Sequence, residues 1–175
     1  MTVGVILYGP PAAGKDTVTT ALTDEDGRFR LFERLKSGQG RTAGYRMTSE
    51  EHLESLARAG EIVWENSRYG ARYVIDRPGL QELVASGRIP VVHAGQPEVI
   101  PAVRAAVPGT WIVVQLSTSR EVARQRILER ATGDTAARLA AWDATPRLLS
   151  SNLDIDTGRT SPEQAARLIR SLIGR

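Results

Sequence analysis

The chain alternates short apolar runs with longer stretches of helical composition. The apolar runs cover Val3–Tyr8 and positions 89–92, 111–116 and 153–155. Runs of this kind suit buried strands, and strands that alternate with helices along a chain are typical of parallel sheets. The pattern therefore predicts an α/β fold with a mainly parallel sheet.

Three helix starts show the spacing of a capping box. In this motif a hydroxyl and a Glu or Gln three residues later satisfy each other's backbone N–H groups. The pairs are Thr48 with Glu51, Thr118 with Glu121, and Ser161 with Gln164. Pro162 also suits the first helical position, where no N–H is needed. We expect helices to begin at these three places.

The region between the first two apolar runs has its own pattern. Positions 61–65 and 69–75 predict two short strands joined by a turn, as part of a small inserted lobe. Positions 36–44 are rich in glycine and polar residues, which predicts a mobile loop or turn. That segment is either a loop with a function or a plain surface loop.

Size and composition indicate the class of protein. With 175 residues the chain can bury a core as one domain, 1–175, and 41% apolar with 25% charged residues is ordinary for a soluble protein. The absence of cysteine excludes disulfides and thiolate nucleophiles and is compatible with a reducing cytosol. The first residues lack a basic leader, and their apolar run is too short to span a membrane. We therefore expect a cytoplasmic location.

The net charge of +3 comes almost wholly from arginines spread along the chain. A basic balance favours anionic ligands, but no recognition helix or aromatic-basic pattern of a nucleic-acid-binding protein is visible. The expected partner is a phosphorylated small molecule, with no nucleic acid and no membrane. No heptad seam stands out, so the oligomeric state stays open.

A phosphate-binding motif of the form G-x-x-x-x-G-K follows the first apolar run directly. It consists of Gly9, Pro10, Pro11, Ala12, Ala13, Gly14 and Lys15. Glycines at both ends allow the backbone N–H groups to face a phosphate, and the helix predicted from Thr17 onward would present its positive end. Lys15 is then expected to meet the β- and γ-phosphates. A chance match is the alternative, but the flanking strand and helix argue against it.

The motif departs from its common form just after the lysine. Asp16 stands where Ser or Thr usually binds Mg²⁺, and Thr17 comes next. The loop looks like that of adenylate kinases, in which Thr also follows one residue later, so Thr17 is expected to hold a phosphate oxygen. Asp16 either orients a metal-bound water or only charges the start of the helix. Asp16 and Thr17 are thus the candidate metal-binding residues.

Arginines form a second candidate cluster near positions 124–138. Arg126 and Arg130 are four residues apart and share a helical face, and Arg138 follows a glycine-containing break. This pattern predicts a helix, a short lid and a second helix, with guanidinium groups that stabilise a transferring phosphoryl group. An exposed amphipathic helix is the alternative. No Asp ends the 89–92 strand, which argues against a hydrolytic motor ATPase, and His93 there is either an acceptor contact or structural.

Together these motifs resemble the guanylate kinase family of nucleoside monophosphate kinases, including relatives that phosphorylate ribose 1,5-bisphosphate. The similar segments are 9–17, 60–73, 124–139 and 151–154. The resemblance implies a P-loop NTPase fold: a mainly parallel five-stranded sheet flanked by helices, an acceptor-binding lobe at about 34–76 and an arginine-bearing lid at about 126–138. It also implies ATP and Mg²⁺ as cofactors and a γ-phosphate transfer that uses Lys15, Arg126, Arg130 and Arg138.

The same resemblance implies contacts for the two substrates. Asn152 would contact the nucleotide, and Tyr73 would lie near the acceptor phosphate. The remaining expected acceptor contacts are Arg34, Lys36, Arg41, Glu65 and His93. Trp64 replaces the family's guanine-reading glutamate, and 34–41 replaces its threonine-rich acceptor segment. The expected acceptor is therefore a nucleoside monophosphate or a sugar phosphate.

Two alternatives stay open from the sequence. One is a kinase for a non-nucleotide metabolite or natural-product alcohol, which would need a carboxylate base such as Glu65 or Asp16. The other is an inactive guanylate-kinase-like module that binds a protein partner. The intact phosphate loop favours an enzyme.

Overall fold

A computed structural model describes residues 2–173. In chain order the strands are β1 (Val3–Tyr8), β2 (Phe29–Leu31), β3 (Arg34–Gly38), β4 (Tyr45–Met47), β5 (Ile62–Arg68), β6 (Ala71–Asp76), β7 (Ile89–Ala94), β8 (Thr110–Ser117) and β9 (Leu153–Asp156). The helices are α1 (Lys15–Glu25), α2 (Glu50–Arg58), α3 (Arg77–Ala85), α4 (Val99–Ala106), α5 (Arg120–Arg130), α6 (Thr135–Ala144) and α7 (Pro162–Ile173). Among the described helices, none is long and apolar enough to cross a membrane.

The larger sheet has five parallel strands in the order β2-β7-β1-β8-β9. Successive residues of β1 point to opposite faces, and both faces are covered. Val5 and Leu7 pack with residues of α1 and α7, whereas Ile6 and Tyr8 pack with residues of α3 and α4. This double covering explains the unbroken apolar runs in the sequence. The predicted α/β fold with a parallel five-stranded sheet is confirmed.

A smaller sheet, in the order β4-β3-β6-β5, is built from the stretch 34–76. β5 and β6 form an antiparallel hairpin, as the pattern of 61–75 predicted, and β3 pairs antiparallel with β6. Helix α2 covers one face of this sheet through Leu53, which packs on Leu35 and Val74. The other face packs at Trp64 and Ile75 with Tyr8 and Val92 of the larger sheet. Its remaining part is referred to below as the open face.

The segment 36–44 is not wholly a loop. Lys36 and Ser37 are buried and belong to β3, where they pair with Tyr73 and Arg72. These two partners in β6 lie 37 and 35 residues further along the chain, so local composition could not indicate the pairing. The loop proper begins after Gly38, the last residue of β3, where a Cβ would lie 2.7 Å from the carbonyl oxygen of Gly70.

The helix starts agree with the sequence pattern at one of three places and differ by one residue at the others. The Ser161 hydroxyl accepts from the N–H of Gln164, whose side chain accepts from the N–H of Ser161. At α2 and α5 the cap is the following serine, Ser49 and Ser119, rather than the threonine. Each serine hydroxyl accepts the backbone N–H three residues later, which is the usual capping geometry.

Helices α5 and α6 are separated by a short break at 131–134. Ala123 and Ile127 of α5 are buried against Ala12, and Leu139 and Trp142 of α6 complete the cluster. This packing places the helix pair directly beside the loop between β1 and α1. The arginines at 126, 130 and 138 therefore belong to elements that adjoin that loop.

Candidate active site

The loop 9–14 curls at the carboxyl end of β1. The N–H of Gly9 donates to the carbonyl of Ala94 at the end of β7, 3.0 Å away. Ala12 and Gly14 have φ values of 62° and 96°, the left-handed region that turns the chain back on itself. A Cβ on Gly9 would lie 2.7 Å from the carbonyl oxygen of Leu116, so glycine is required for the close approach to β8. The loop thus has the tight form that a phosphate-binding turn needs.

The loop is braced from behind by two side chains. Arg126 donates to the carbonyl of Ala12 at 3.0 Å, and the hydroxyl of Thr157 donates to the carbonyl of Ala13 at 2.7 Å. Arg126 also donates to the hydroxyl and carbonyl of Thr157, at 3.0 and 2.8 Å. These bonds hold two carbonyls of the loop from its outer side. Sequence reasoning missed Thr157, although its place directly after β9, at the carboxyl edge of the sheet, was a usable signal.

Lys15 lies at the start of α1 and reaches back over the loop. Its ammonium group donates to the carbonyls of Gly9 and Pro10, at 2.6 and 2.9 Å. Burial lowers the pKa of Lys15 to about 8; Asp16 opposes this shift, and nearby cations, including Arg34 and Arg130, add to it. Cations of the smaller sheet and of α5 thus add to the positive electrostatic surroundings of Lys15. The charged form of such a lysine is stabilised most when a polyanion, such as a phosphate chain, binds beside it.

Asp16 and Thr17 fit a magnesium site at the mouth of the loop. The side chain of Asp16 is 48% exposed. One of its carboxylate oxygens lies 3.8 Å from Nη1 of Arg41, and the other lies 3.8 Å from Nδ1 of His93. The Thr17 hydroxyl donates to the carbonyl of Gly14 at 3.0 Å, and its lone pairs remain available. Mg²⁺ prefers a carboxylate or two, with waters and substrate phosphates completing its shell. Asp16 and Thr17 can supply such oxygen ligands.

His93 connects three elements beneath the site. Its Nε2 lies 2.7 Å from the Thr19 hydroxyl, which donates to the carbonyl of Lys15 at 2.8 Å. The hydroxyl has one hydrogen, so it accepts from Nε2–H and leaves Nδ1 as the acceptor facing Asp16. Burial, assisted by the charge of Lys15, lowers the pKa of His93 to about 3, and the ring is neutral near pH 7. Arg34 also donates to the carbonyl of His93.

The open face of the smaller sheet is strongly cationic. Lys36 is 1% exposed; its ammonium lies 5.4 and 5.5 Å from the ring centroids of Tyr45 and Tyr73, and it donates to the carbonyl of Arg41 at 2.7 Å. Arg34 lies over the ring of Trp64, 5.3 Å from its centroid. By strand pairing, this face carries alternate residues of each strand. Besides Gly38 they are ten: Arg34, Lys36, Tyr45, Met47, Trp64, Asn66, Arg68, Ala71, Tyr73 and Ile75. None of these residues is acidic.

Two neighbours in β5 point to opposite faces. Asn66 pairs with Tyr73 on the cationic face, and its Oδ1 is buried without a hydrogen-bond partner within residues 2–173. Glu65 pairs with Val74 on the face that α2 covers, where its carboxylate accepts from Arg72 at 2.7 Å; Arg72 also binds Glu50. The structure corrects the expectation that Glu65 contacts the acceptor. It cannot do so without breaking the ion pair and turning through the sheet.

The lid arginines have different partners. Arg126 braces the phosphate loop, as described, and Arg130 is close enough to Lys15 to affect its pKa. The Nε of Arg138 donates to both carboxylate oxygens of Asp134 at 2.8 Å, and its guanidinium lies 5.9 Å from the ring centroid of Tyr69 at the tip of the β5–β6 hairpin. Arg126 is thus engaged behind the loop, whereas Arg138 lies beside the hairpin tip.

Asn152 lies away from the phosphate loop. Its Oδ1 accepts from the N–H of Val113 at 2.8 Å, and its own N–H donates to the carbonyl of Val113. Asn152 precedes β9 and lies beside Val113, four residues before the end of β8. At about 3.3 Å per residue, this position is roughly 10 Å or more from the carboxyl edge of the sheet. The expected nucleotide contact of Asn152 stays a prediction, since its side chain is bonded to Val113 away from that edge. The residue at the edge itself is Thr157.

Comparisons with known proteins were consistent with this geometry. No protein-family model and no curated protein sequence matches the chain. Among solved structures, a guanylate kinase from Anaplasma phagocytophilum superposes with a TM-score of 0.61 at 15% identity, covering 99% of this chain and 85% of that one. An unliganded sugar kinase from a Janibacter species superposes with a TM-score of 0.58 at 19% identity, covering 99% and 95%. This chain therefore has a guanylate kinase-like P-loop kinase fold.

Proposed function

We propose that the protein is an ATP-dependent kinase that transfers the γ-phosphate to a small phosphorylated acceptor. The observation that supports this most is the meeting of two cationic surfaces at one cleft. Lys15 and the phosphate loop form one side, and the smaller sheet with its following turn forms the other, where Arg34 donates to the carbonyl of His93 and Arg41 lies 3.8 Å from Asp16. Two anionic substrates would be held with their phosphates facing each other, which is the arrangement that direct transfer requires.

The chain's own residues account for the steps of such a transfer. The loop N–H groups and Lys15 would bind the β- and γ-phosphates, and Arg130 and Arg138 would stabilise the charge of the transferring group. Mg²⁺, held through Asp16 and Thr17, would supply further charge neutralisation between the phosphates. Arg126 would act through the loop, because its donors are used by Ala12 and Thr157. A phosphate acceptor is already ionised near pH 7, so no general base is needed.

The acceptor face favours a sugar phosphate over guanosine monophosphate. Guanine presents N–H donors that a carboxylate usually reads, and the ten residues of the open face contain no carboxylate. Arg34 covers Trp64, so this ring is not free on that side to stack on a base. The cations and tyrosines instead suit an acceptor whose recognition rests on anionic groups and hydroxyls. A nucleoside monophosphate is the second candidate because the fold neighbours include a guanylate kinase.

The test is an ADP-release assay with ATP and Mg²⁺ over a panel of nucleoside monophosphates, sugar phosphates and alcohols. The proposal expects turnover with a phosphorylated acceptor and a loss of about a hundredfold or more in Lys15→Ala, because a fixed donor to the transferring group is removed. Arg167→Ala, which removes an exposed cation from α7, is the matched control and should turn over like wild type. Turnover by Lys15→Ala at the wild-type rate, or no turnover by wild type with any member of the panel, would overturn the proposal.

A further inference from the structure

The tip of the β5–β6 hairpin has an unusual residue for its conformation. Arg68 and Ala71 are the last paired residues, so the loop has two residues, Tyr69 and Gly70. Their φ values are 54° and 71°. Positive φ at both positions is the signature of a type I′ turn, which strongly favours Asn-Gly. A bulky aromatic residue in the left-handed region is strained, and such strain clusters at functional sites.

In this conformation the ring of Tyr69 lies beside Arg138 of the lid. The guanidinium carbon of Arg138 lies 5.9 Å from the ring centroid, within the range of a cation–π contact. Tyr69 is 50% exposed and makes no part of the buried core. Burial raises the pKa of Tyr73 on the cationic face, and the positive charge of Arg138 opposes that rise. The contact therefore joins the lid to the acceptor side of the cleft.

The remaining bonds of Arg138 define what its guanidinium can do. Its Nε is used by the carboxylate of Asp134, and its face is covered by the ring of Tyr69. Within the described part of the chain, no hydrogen bond engages its two terminal nitrogens. A guanidinium held by its Nε and its face, with both terminal nitrogens available, has the geometry that binds a phosphate bidentately.

We propose that Tyr69 is a positioning residue that holds the Arg138 guanidinium at the acceptor side of the cleft before the substrates bind. This inference rests on the proposed kinase function. An asparagine at position 69 would fit the turn better but would offer no ring to Arg138. The tyrosine thus gives up local stability in exchange for a preorganised cation, and preorganisation lowers the cost of reaching the transferring geometry.

The test compares Tyr69→Asn and Tyr69→Phe with the wild type. Tyr69→Asn relieves the strained turn, so its melting temperature should rise by about 2–4 °C. Its kcat should fall by about two- to tenfold, with little change in the KM for ATP, because Arg138 is then held only through its Nε by Asp134 and its guanidinium is less well fixed. Tyr69→Phe keeps the ring and should retain both the melting temperature and the kcat of the wild type. A merely structural role for Tyr69 would make stability and activity change in the same direction.

A second measurement does not depend on activity. Hydrogen exchange of residues 131–144, which form the break and helix α6, should be faster in Tyr69→Asn than in the wild type when no substrate is present. In Tyr69→Phe it should be unchanged. Equal exchange in all three proteins, or a kcat of Tyr69→Asn equal to that of the wild type, would overturn the inference. A wild type that turns over no acceptor but shows the exchange difference would overturn the proposed function while supporting the contact between hairpin and lid.

Discussion

Arg126 donates to both the hydroxyl and the carbonyl of Thr157, and each of the two side chains also holds one carbonyl of the phosphate loop. The hydroxyl of Thr157 is therefore an acceptor from one side and a donor to the other. The arrangement ties α5, the segment after β9 and the loop together behind the phosphate site. A loop fixed in this way does not have to become ordered when a phosphate binds, so less of the binding energy is lost.

Thr157→Val should loosen this brace while keeping the shape of the side chain. The variant loses one donor to Ala13 and leaves Arg126 with one partner fewer. We expect the free energy of unfolding to fall by about 1 kcal/mol and the KM for ATP to rise severalfold. Urea unfolding and ADP-release kinetics would measure the two effects. Thr160→Val, whose side chain makes no hydrogen bond within residues 2–173, is the control and should change neither quantity.

Glu65 and Asn66 provide a second comparison, because neighbouring residues of β5 point to opposite faces. Glu65→Gln should leave kcat and the acceptor KM within about twofold of wild type, since only the contact with Arg72 changes. Asn66→Ala should raise the acceptor KM by roughly two- to tenfold, the value of one hydrogen bond. Both are measured by acceptor titration in the ADP-release assay. A large effect of Glu65→Gln would contradict the placement of this carboxylate.

These two residues also show what the sequence could and could not predict. The phosphate loop, the parallel sheet and the β5–β6 hairpin depend on local patterns, and all three were predicted. The face on which Glu65 lies depends on its pairing with β6 and on an irregular register between Ile62 and Trp64. A shift of one residue turns every later side chain to the opposite face. No local sequence pattern indicates such a shift of register.

The residues on either side of β9 show the same limit. Asn152 was predicted from its likeness to a family segment, but the strand begins after it, and the edge of the sheet is reached only at Thr157. The ends of short strands depend on pairing with a neighbour, here β8. The caps at Ser49 and Ser119 differ from prediction for a similar reason: two adjacent hydroxyl residues fit the pattern, and the backbone geometry selects one.

Gly4 and Trp111 lie opposite each other in β1 and β8, and a Cβ on Gly4 would lie 2.3 Å from the nearest carbon of the indole ring. Gly4→Ala should therefore lower the free energy of unfolding by about 1–3 kcal/mol through overpacking. Gly27→Ala is the matched control, because nothing lies within 4 Å of the added methyl group. The control should be neutral or slightly stabilising. Thermal unfolding monitored by tryptophan fluorescence would compare the two.

The loss of folding stability in acid should depend in part on Asp26. Its carboxylate accepts from the side chain and the backbone N–H of Arg28, and these hydrogen bonds lower its pKa to about 2. The folded pKa lies below the unfolded one, so the stabilisation is present above about pH 4 and is lost as the pH falls through 2. Asp26→Asn removes this titration. The urea midpoint of the wild type should fall more between pH 4 and pH 2 than that of the variant; parallel curves would contradict the prediction.

The two sheets share no paired strand within residues 2–173. The larger one carries the phosphate loop, and the smaller one carries the open cationic face. Substitutions on that face therefore leave the hydrogen-bond ladder that supports the loop intact. Selection could alter which acceptor is recognised without remaking the machinery for the donor, and a protein engineer could exchange residues 34–76 as a cassette to redirect the same phosphate donor to a new acceptor.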